Sequence, residues 1–455
     1  MSSASQPQPH ATATASVIPF AILQKACTKD RTWVVVDEKV YDLTKFCDRH
    51  PGGSDIISIA AGKDVSALFD SYHGSRQRQI LHKYLIGDVM GNDTPTFPPP
   101  DGFSRTVRKR AEEYFRSNNI DPKHSPASWV RYGCTVLLVA GLYTWQWHLP
   151  ADSFWLFYLV AALYGFTLAQ YAMSAFHDAS HGAIGHNINL WKVLRSGHDL
   201  LLGTSSLMWT YQHVLSHHVF TNVDGHDTDI KAAKGGYRRI KTTQQYLDRY
   251  KLQYIYAPIL YVLLGVSVRI NDVGYLLAGS RGPLKINPLS NSQKLLFWGG
   301  KLFFFTTRIL VPILLRQPVR RVLGAFFVAD FVCSFFLAIV FQATHVVGEV
   351  AWPQVDEQTG NVNMDWGRLQ VETAQDYAHG QPITTLLSGS LNYQAVHHLF
   401  PNVAQEHLVA LAPIVRNTAE EFGVRYIIKD TLWNAIGGHI GLLKMMGEAP
   451  HSLDG

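Results

Sequence analysis

Histidine falls into two patterns along this chain. In the first, His50-Pro51-Gly52-Gly53 is followed by His73 within Ser71-Tyr72-His73-Gly74. A b-type haem needs two axial imidazoles that reach its iron from opposite sides of a crevice. Glycines beside the first ligand let the backbone approach the porphyrin edge. In the second pattern three clusters lie far downstream: His177…His181, His213…His217-His218 and Gln394…His397-His398. The first two place imidazoles at i and i+4, one face of a helix, as in helical histidine pairs that grip a metal. The third places an amide three and four residues before two imidazoles. Imidazole-rich ligation suits iron, zinc or copper. Seven imidazoles and an amide are too many for one ion, so two metals are implied. A haem beside a histidine-held metal centre, with apolar stretches between the clusters, points to oxidative chemistry on a lipid.

Positioning these groups requires at least two kinds of structure. The chain has 455 residues, room for two or three domains. Its mean hydropathy of −0.01 hides a partition, because the apolar surplus falls between Trp129 and Val346. Residues 1–17, rich in Ser, Ala, Gln and Pro, are expected to be a disordered lead-in and not a cleaved signal peptide. Residues 18–92 read as a small α+β domain. Thr32–Val36 and Val40–Leu43 are its strands, and helical patterns lie at Ser54–Ala60 and Val65–Tyr72. Residues 93–127 read as a linker, stiffened by Pro95, Pro98, Pro99 and Pro100, then an amphipathic helix leading to the membrane.

Residues 128–445 carry four apolar spans, expected at about 129–148, 154–173, 296–315 and 322–342, each long enough to cross roughly 30 Å of hydrocarbon. A fifth stretch, Tyr254–Val268, reads as shorter and interfacial. Residues 446–455 form a tail. Two hairpins of spans leave all three histidine clusters on the side of the N-terminal domain. Charge is mixed evidence for orientation: the loop after the second span is rich in Lys and Arg, but so is the turn Arg316–Arg321. The net charge of +5 is mild, and no basic run alternates with aromatics, which argues against nucleic-acid binding. Cys27, Cys47, Cys134 and Cys333 make no CxxC pair and read as reduced thiols.

Residues 18–92, with the Trp33–Val36 strand, the Tyr41–Phe46 segment, His50-Pro51-Gly52-Gly53 and His73, resemble cytochrome b5. The resemblance implies His50 and His73 as axial haem ligands; His82 reads as a surface histidine. The HX3H, HX3HH and QX2HH boxes resemble those of membrane fatty acyl desaturases. The fusion, with Gln opening the third box, resembles the front-end desaturases over residues 20 to 445. That resemblance implies a non-haem di-iron centre held by His177, His181, His213, His217, His218, His397 and His398, with His345 and Gln394 as further members. It also implies the whole fold: an α+β haem domain followed by an all-α four-helix transmembrane domain whose cytosolic helical cap holds the metals. Asp178, Asp224, Asp227 and Asp229 are expected as partners for the second ring nitrogens of the ligands. Trp209, Tyr211 and Tyr393 are expected to line an acyl tunnel.

The segment Gln370–His379 and the context Gly389–Tyr393 look most like delta-5 acyl desaturases of fungal and protist type. The implied reaction is a cis double bond between C5 and C6 of C20 polyunsaturated acyl chains, for example dihomo-gamma-linolenate to arachidonate. Implied partners are O2, NADH-cytochrome b5 reductase, the bilayer and a polyunsaturated acyl-CoA or acyl-phospholipid. The implied location is the endoplasmic reticulum membrane, multi-pass, with haem domain and boxes facing the cytosol. A delta-4, delta-6 or delta-8 acyl desaturase, or a sphingolipid long-chain-base desaturase, shares the iron chemistry. A lipid hydroxylase does so too. A membrane-bound b5 electron carrier is the alternative from another class, and iron content separates it. Finally, Arg308 and Asp330 sit inside apolar runs, where an unpaired charge is expensive. Their similar distances from the turn near Pro318 predict that they pair.

Overall fold

In the computed structural model, residues 16–230 and 235–448 are described. The expected lead-in, except for its last two residues, and most of the expected tail lie outside them. The chain divides into two compact units, Met1–Thr94 and Pro95–Gly455, so the boundary falls within the expected linker.

The first unit is a five-stranded sheet with short helices packed against both faces. β1 (Ser16–Pro19), β2 (Cys27–Thr28), β3 (Arg31–Val36), β4 (Lys39–Asp42) and β5 (Leu85–Met90) lie in the order β1-β5-β4-β3-β2. β3 ends in a continuous apolar run, Val34, Val35 and Val36, that is buried on both faces of the sheet. Val34, Val36, Tyr41 and Leu43 pack with Ala60 and Leu81. Two helices, α1 (Ser54–Ala60) and α2 (Ser66–Tyr72), each end just beyond or just before a histidine of the first pattern: His50 precedes α1 and His73 is the C-cap of α2.

In the second unit, α3 (Gly102–Ser117) is amphipathic as expected, but its apolar face does not go to lipid. Phe103, Val107, Ala111 and Phe115 pack into one core with Leu408, Leu411 and Val415 of the later helix 405–421. Then come α4 (Pro126–His148) and α5 (Phe154–His181). The chain continues through α6 (Ile188–Leu202), the helical stretch α7 (206–217), α8 (Asp248–Ala278), α9 (Asn291–Leu314) and α10 (Val319–His345). The last helices used below are α11 (Gln394–Leu399), α12 (Gln405–Glu421) and α13 (Leu432–Gly447).

Four helices are long and apolar enough to cross a membrane: α5, α8, α9 and α10. This differs from the expected spans in two ways. α4 is a full helix, but Arg131 and Gln146 lower its apolarity. The stretch expected to be short belongs to the 31-residue run α8, which is interrupted near Pro258 and by a tighter turn at Tyr261–Leu263. α5 and α10 cross closely: a Cβ on Gly165 would lie 2.2 Å from the carbonyl oxygen of Ala329. Small residues at such crossings let membrane helices approach. Lipid-sized side chains face outward, among them Leu277, Leu302 and Leu314.

The expected Arg308–Asp330 pair does not form. Asp330 instead pairs with Arg269 of α8 at 2.6 Å, both side chains buried. Arg308 lies over the ring of Tyr164 at 4.5 Å. Similar depth on adjacent helices was satisfied by a third helix carrying its own arginine, which the hairpin geometry of α9 and α10 alone did not reveal. Lys301 finds a carboxylate as well, Asp272 at 3.1 Å.

Candidate haem crevice and metal centre

In the first unit His50 and His73 face each other with ring centroids 6.0 Å apart. The Nδ1 atom of His50 lies 3.3 Å from the Gly53 carbonyl and that of His73 lies 3.0 Å from the Phe69 carbonyl. Donation to these carbonyls fixes the tautomer and turns both Nε2 atoms away from their own backbone. A Cβ on Gly52 would come within 2.8 Å of the His50 ring, so glycine is what leaves that ring its place. Two imidazoles at this separation fit one metal atom between them, at bonds of about 2 Å each. His82 is exposed beside Tyr41.

In the second unit the three boxes converge although they come from three separate regions of the chain. His177 and His181 end α5, immediately after a widened π turn at Ala172–Phe176. His213 and His217 lie in a π-helical stretch, Thr210–His217, and not in the α-helix that their spacing suggests. The backbone N–H of His218 donates to the His213 carbonyl at 2.9 Å, five residues back. The wider turn brings i, i+4 and i+5 toward one centre; π turns recur at functional sites for this kind of reason. α11 supplies Gln394, His397 and His398, and the end of α10 supplies His345.

Ligand atoms of His177, His181, His213, His218 and His397 lie within 4.8 Å of one another, all buried. His217, His345 and His398 form a second such group. The two groups touch, with His218 and His398 rings stacked at 4.2 Å. The Nε2 atoms of His217, His397 and His398 and the Nδ1 of His218 are buried with no hydrogen-bond partner. Each such orphan costs about 1–3 kcal/mol, so their concentration at one point fits metal ions, two of them by the grouping. Burial, then the neighbouring imidazoles, push His213, His218, His397 and His398 well below the ordinary histidine range. These rings are therefore neutral, the form that binds metal. Burial also opposes the charged form of His217, but the Asp227 carboxylate outweighs it and the net shift is upward.

The carboxylates divide. Asp227 accepts from His217 Nδ1 at 2.9 Å and Asp229 from His213 Nδ1 at 3.0 Å. Asp227 is itself held by the backbone N–H groups of Asn222 at 2.9 Å and Ile230 at 3.1 Å. Asp178 is buried but reaches His177 Nδ1 only at 3.7 Å, and its firm partner is the Tyr132 hydroxyl. Asp224 is a correction: its side chain is 51% exposed and pairs with Lys241, not with a histidine. Gln394 Nε2 lies 2.9 Å from His345 Nε2, inside the cluster.

Sequence reasoning missed two glutamines. Gln370 accepts from His398 Nδ1 at 2.8 Å, and Gln405 Nε2 lies 3.2 Å from His177 Nδ1. Neither belongs to a box, and no spacing marks them.

A cavity of about 570 Å³ opens on this centre. His177, His213 and Gln394 line one part of it, and Leu202, Leu264 and Leu337 line its apolar length. Of the three aromatics expected there, Trp209 lines it and stacks on His213 at 4.2 Å. Tyr211 and Tyr393 are packed elsewhere. Their hydroxyls accept from the backbone N–H groups of Asn287 at 2.9 Å and Gly380 at 3.0 Å.

Comparison with known proteins agrees with this division. Residues 20–90 match the cytochrome b5-like heme/steroid binding domain, and residues 153–429 match the fatty acid desaturase family. An acyl-lipid (8-3)-desaturase of Mortierella alpina is 42% identical over 427 residues, 93% of this chain and 95% of its own length. A Delta(5) fatty acid desaturase A of Dictyostelium discoideum is 35% identical, covering 94% of this chain and 93% of its own. A buried double cluster of neutral imidazoles beside an apolar cavity, and end-to-end likeness to these enzymes, place the chain in the fatty acid desaturase family, as a front-end desaturase with a cytochrome b5-like domain fused at its N-terminal side.

Proposed function

We propose that this desaturase inserts a cis double bond between C5 and C6 of C20 polyunsaturated acyl chains, for example converting dihomo-gamma-linolenate to arachidonate. The observation that carries the reading is the match, along nearly the whole chain, to relatives named as (8-3)- and Delta(5)-desaturases. Haem b belongs between His50 and His73. Two irons belong in the two histidine groups, with His177, His181, His213, His218 and His397 toward one and His217, His345 and His398 toward the other. Bound there, the irons supply O2 activation strong enough to remove hydrogen from an unactivated C–H bond. The overall balance is the loss of two vicinal hydrogens, with O2 taking up two further electrons and two protons to leave water. NADH-cytochrome b5 reductase is the electron source, through the haem domain.

The residues contribute position and dryness. Asp227 and Asp229 hold the rings of His217 and His213 in one tautomer. Trp209 and the apolar wall keep water from the reacting carbons. An alkyl chain offers no acid–base handle, so selectivity depends on where the cavity holds it.

The topology follows from convergence. His181 and His345 end α5 and α10 at the same centre, so an even number of crossings separates them. α9 and α10 provide two; α8, bent near Pro258, therefore returns to the side it left, and α4 completes a hairpin with α5. We place the centre on the cytosolic face of the endoplasmic reticulum membrane.

The test is expression in a host that lacks these acids, fed C18 and C20 polyunsaturated acids in parallel, with double-bond positions read by mass spectrometry. A new bond at C5 of C20 acids supports the reading. Products at C4, C6 or C8, or in long-chain bases, refute it.

A further inference from the structure

Three buried arginines line the cavity, Arg238, Arg269 and Arg281, and the company of the first is unusual. Arg238 is 6% exposed and lines the cavity. Among the described residues no carboxylate pairs with it, and its Nε has no hydrogen-bond partner. Of the other two, Arg269 pairs with Asp330 at 2.6 Å, and Arg281 has the Asp229 and Asp272 carboxylates nearby. Arg238 is held by neutral groups alone. Its Nη1 donates to the Tyr261 hydroxyl at 2.9 Å and to Gln342 Oε1 at 2.6 Å. Behind them His439 Nδ1 lies 2.7 Å from the Val346 carbonyl, so it donates there and its Nε2 accepts from Tyr261 at 2.7 Å. Donation thus runs one way, from Arg238 through Tyr261 to His439, with the guanidinium-bearing residue on the cavity wall. A buried guanidinium without a counter-charge is costly, and an oxygen acceptor in the cavity relieves that cost with a charge-assisted hydrogen bond.

Its location gives the acceptor an identity. Gln342 precedes His345 by three residues on α10, about 4.5 Å along the axis at helical rise. Gln342, which anchors the donor, therefore lies within one turn of a histidine of the metal centre on the same helix. An acyl chain presents one oxygen-bearing end, and four carbon–carbon bonds separate its carbonyl carbon from C5. We propose that Arg238, oriented by Tyr261, Gln342 and His439, is the seat of the acyl carbonyl oxygen, and that its distance from the histidine centre sets the carbon that is desaturated. This rests on the front-end reading above and adds the residue that does the counting. The ester of a phospholipid and the thioester of an acyl-CoA both present this oxygen.

The experiment compares the full chain with Arg238→Met, Arg238→Lys and Tyr261→Phe variants, in the same host fed the same C20 acid. It reads conversion, double-bond position, haem spectrum and non-haem iron. Arg238→Met is expected to lower conversion at least tenfold, with the residual product scattered over neighbouring positions. Tyr261→Phe, which removes one oxygen, is expected to retain iron and haem and to give a minor shifted product. Conversion at the wild-type level, or any reduced conversion with the bond still at one unshifted position in both Arg238→Lys and Tyr261→Phe, overturns the proposal. If Arg238→Met yields no folded protein, those two variants decide alone. A pulse of labelled acyl-CoA, followed by separation of lipid and thioester pools, shows where the new bond first appears, and the scatter must appear in that pool. Absence of any C20 product from the unaltered chain, with iron and haem intact, would sink the functional reading instead.

Discussion

The haem crevice and the histidine centre use the same side chain by opposite means. His50 and His73 are partly exposed, are close in sequence, and have their Nδ1 atoms beside backbone carbonyls. The eight clustered histidines of the second unit are buried, come from four separated segments, and are steered mainly by side chains: Asp227, Asp229 and Gln370. His345 there also uses a backbone carbonyl, that of Thr373 at 3.2 Å. Backbone steering is robust because a substitution cannot delete a carbonyl. Side-chain steering adds negative charge near the metal and makes the site dependent on many remote residues.

That contrast can be broken most sharply at the ligands. His217→Ala and His397→Ala are each expected to remove non-haem iron and all detectable product while leaving the haem spectrum unchanged; metal analysis of the purified protein checks this. Normal iron with lost activity would make that residue a substrate-positioning group. The converse change, His73→Ala, is expected to abolish the b-type spectrum with non-haem iron retained, and full turnover in that variant without added cytochrome b5 would remove the haem from the electron path.

A smaller effect is expected one layer out. Asp227→Asn and Asp229→Asn should each weaken metal retention about 10–100-fold, read by chelator competition. Asp227 should be the more sensitive, since three backbone N–H groups, of Asn222, Asp229 and Ile230, also depend on it. Equal and negligible losses would mean that the carboxylates do not steer the rings. The smallest effect on either cofactor site should come from the buried ion pair in the membrane region. Arg269→Met or Asp330→Leu alone should cost about 3–5 kcal/mol of stability, and the double change should recover most of it. Thermal unfolding of the detergent-solubilised protein measures this, with iron content per folded molecule unchanged.

The same contrast explains what could be read from the sequence. His50, Gly52 and His73 act through their own local backbone, so the motif and the site coincide. The box histidines were legible because repeated spacing marks them. Gln370 and Gln405 were not, because a single amide that reaches a ring across the fold leaves no periodic trace. The partner of Asp330, Arg269, is hidden from the sequence for a related reason: depth in a hairpin can be counted from the turn, but the neighbouring third helix cannot. α8 is ambiguous because its composition favours crossing, whereas the topology proposed above has it return to the side it left.

The widened turns at Ala172–Phe176 and Thr210–His217 act as a phase correction. Each is one residue more than an α-helix needs. Closing the 172–176 turn to ordinary pitch without removing a residue would advance everything beyond it around the axis. His177 and His181 would then swing together off the centre with their mutual spacing intact. The insertion length, as much as the identity of the histidines, therefore keeps the first box in step with the other two.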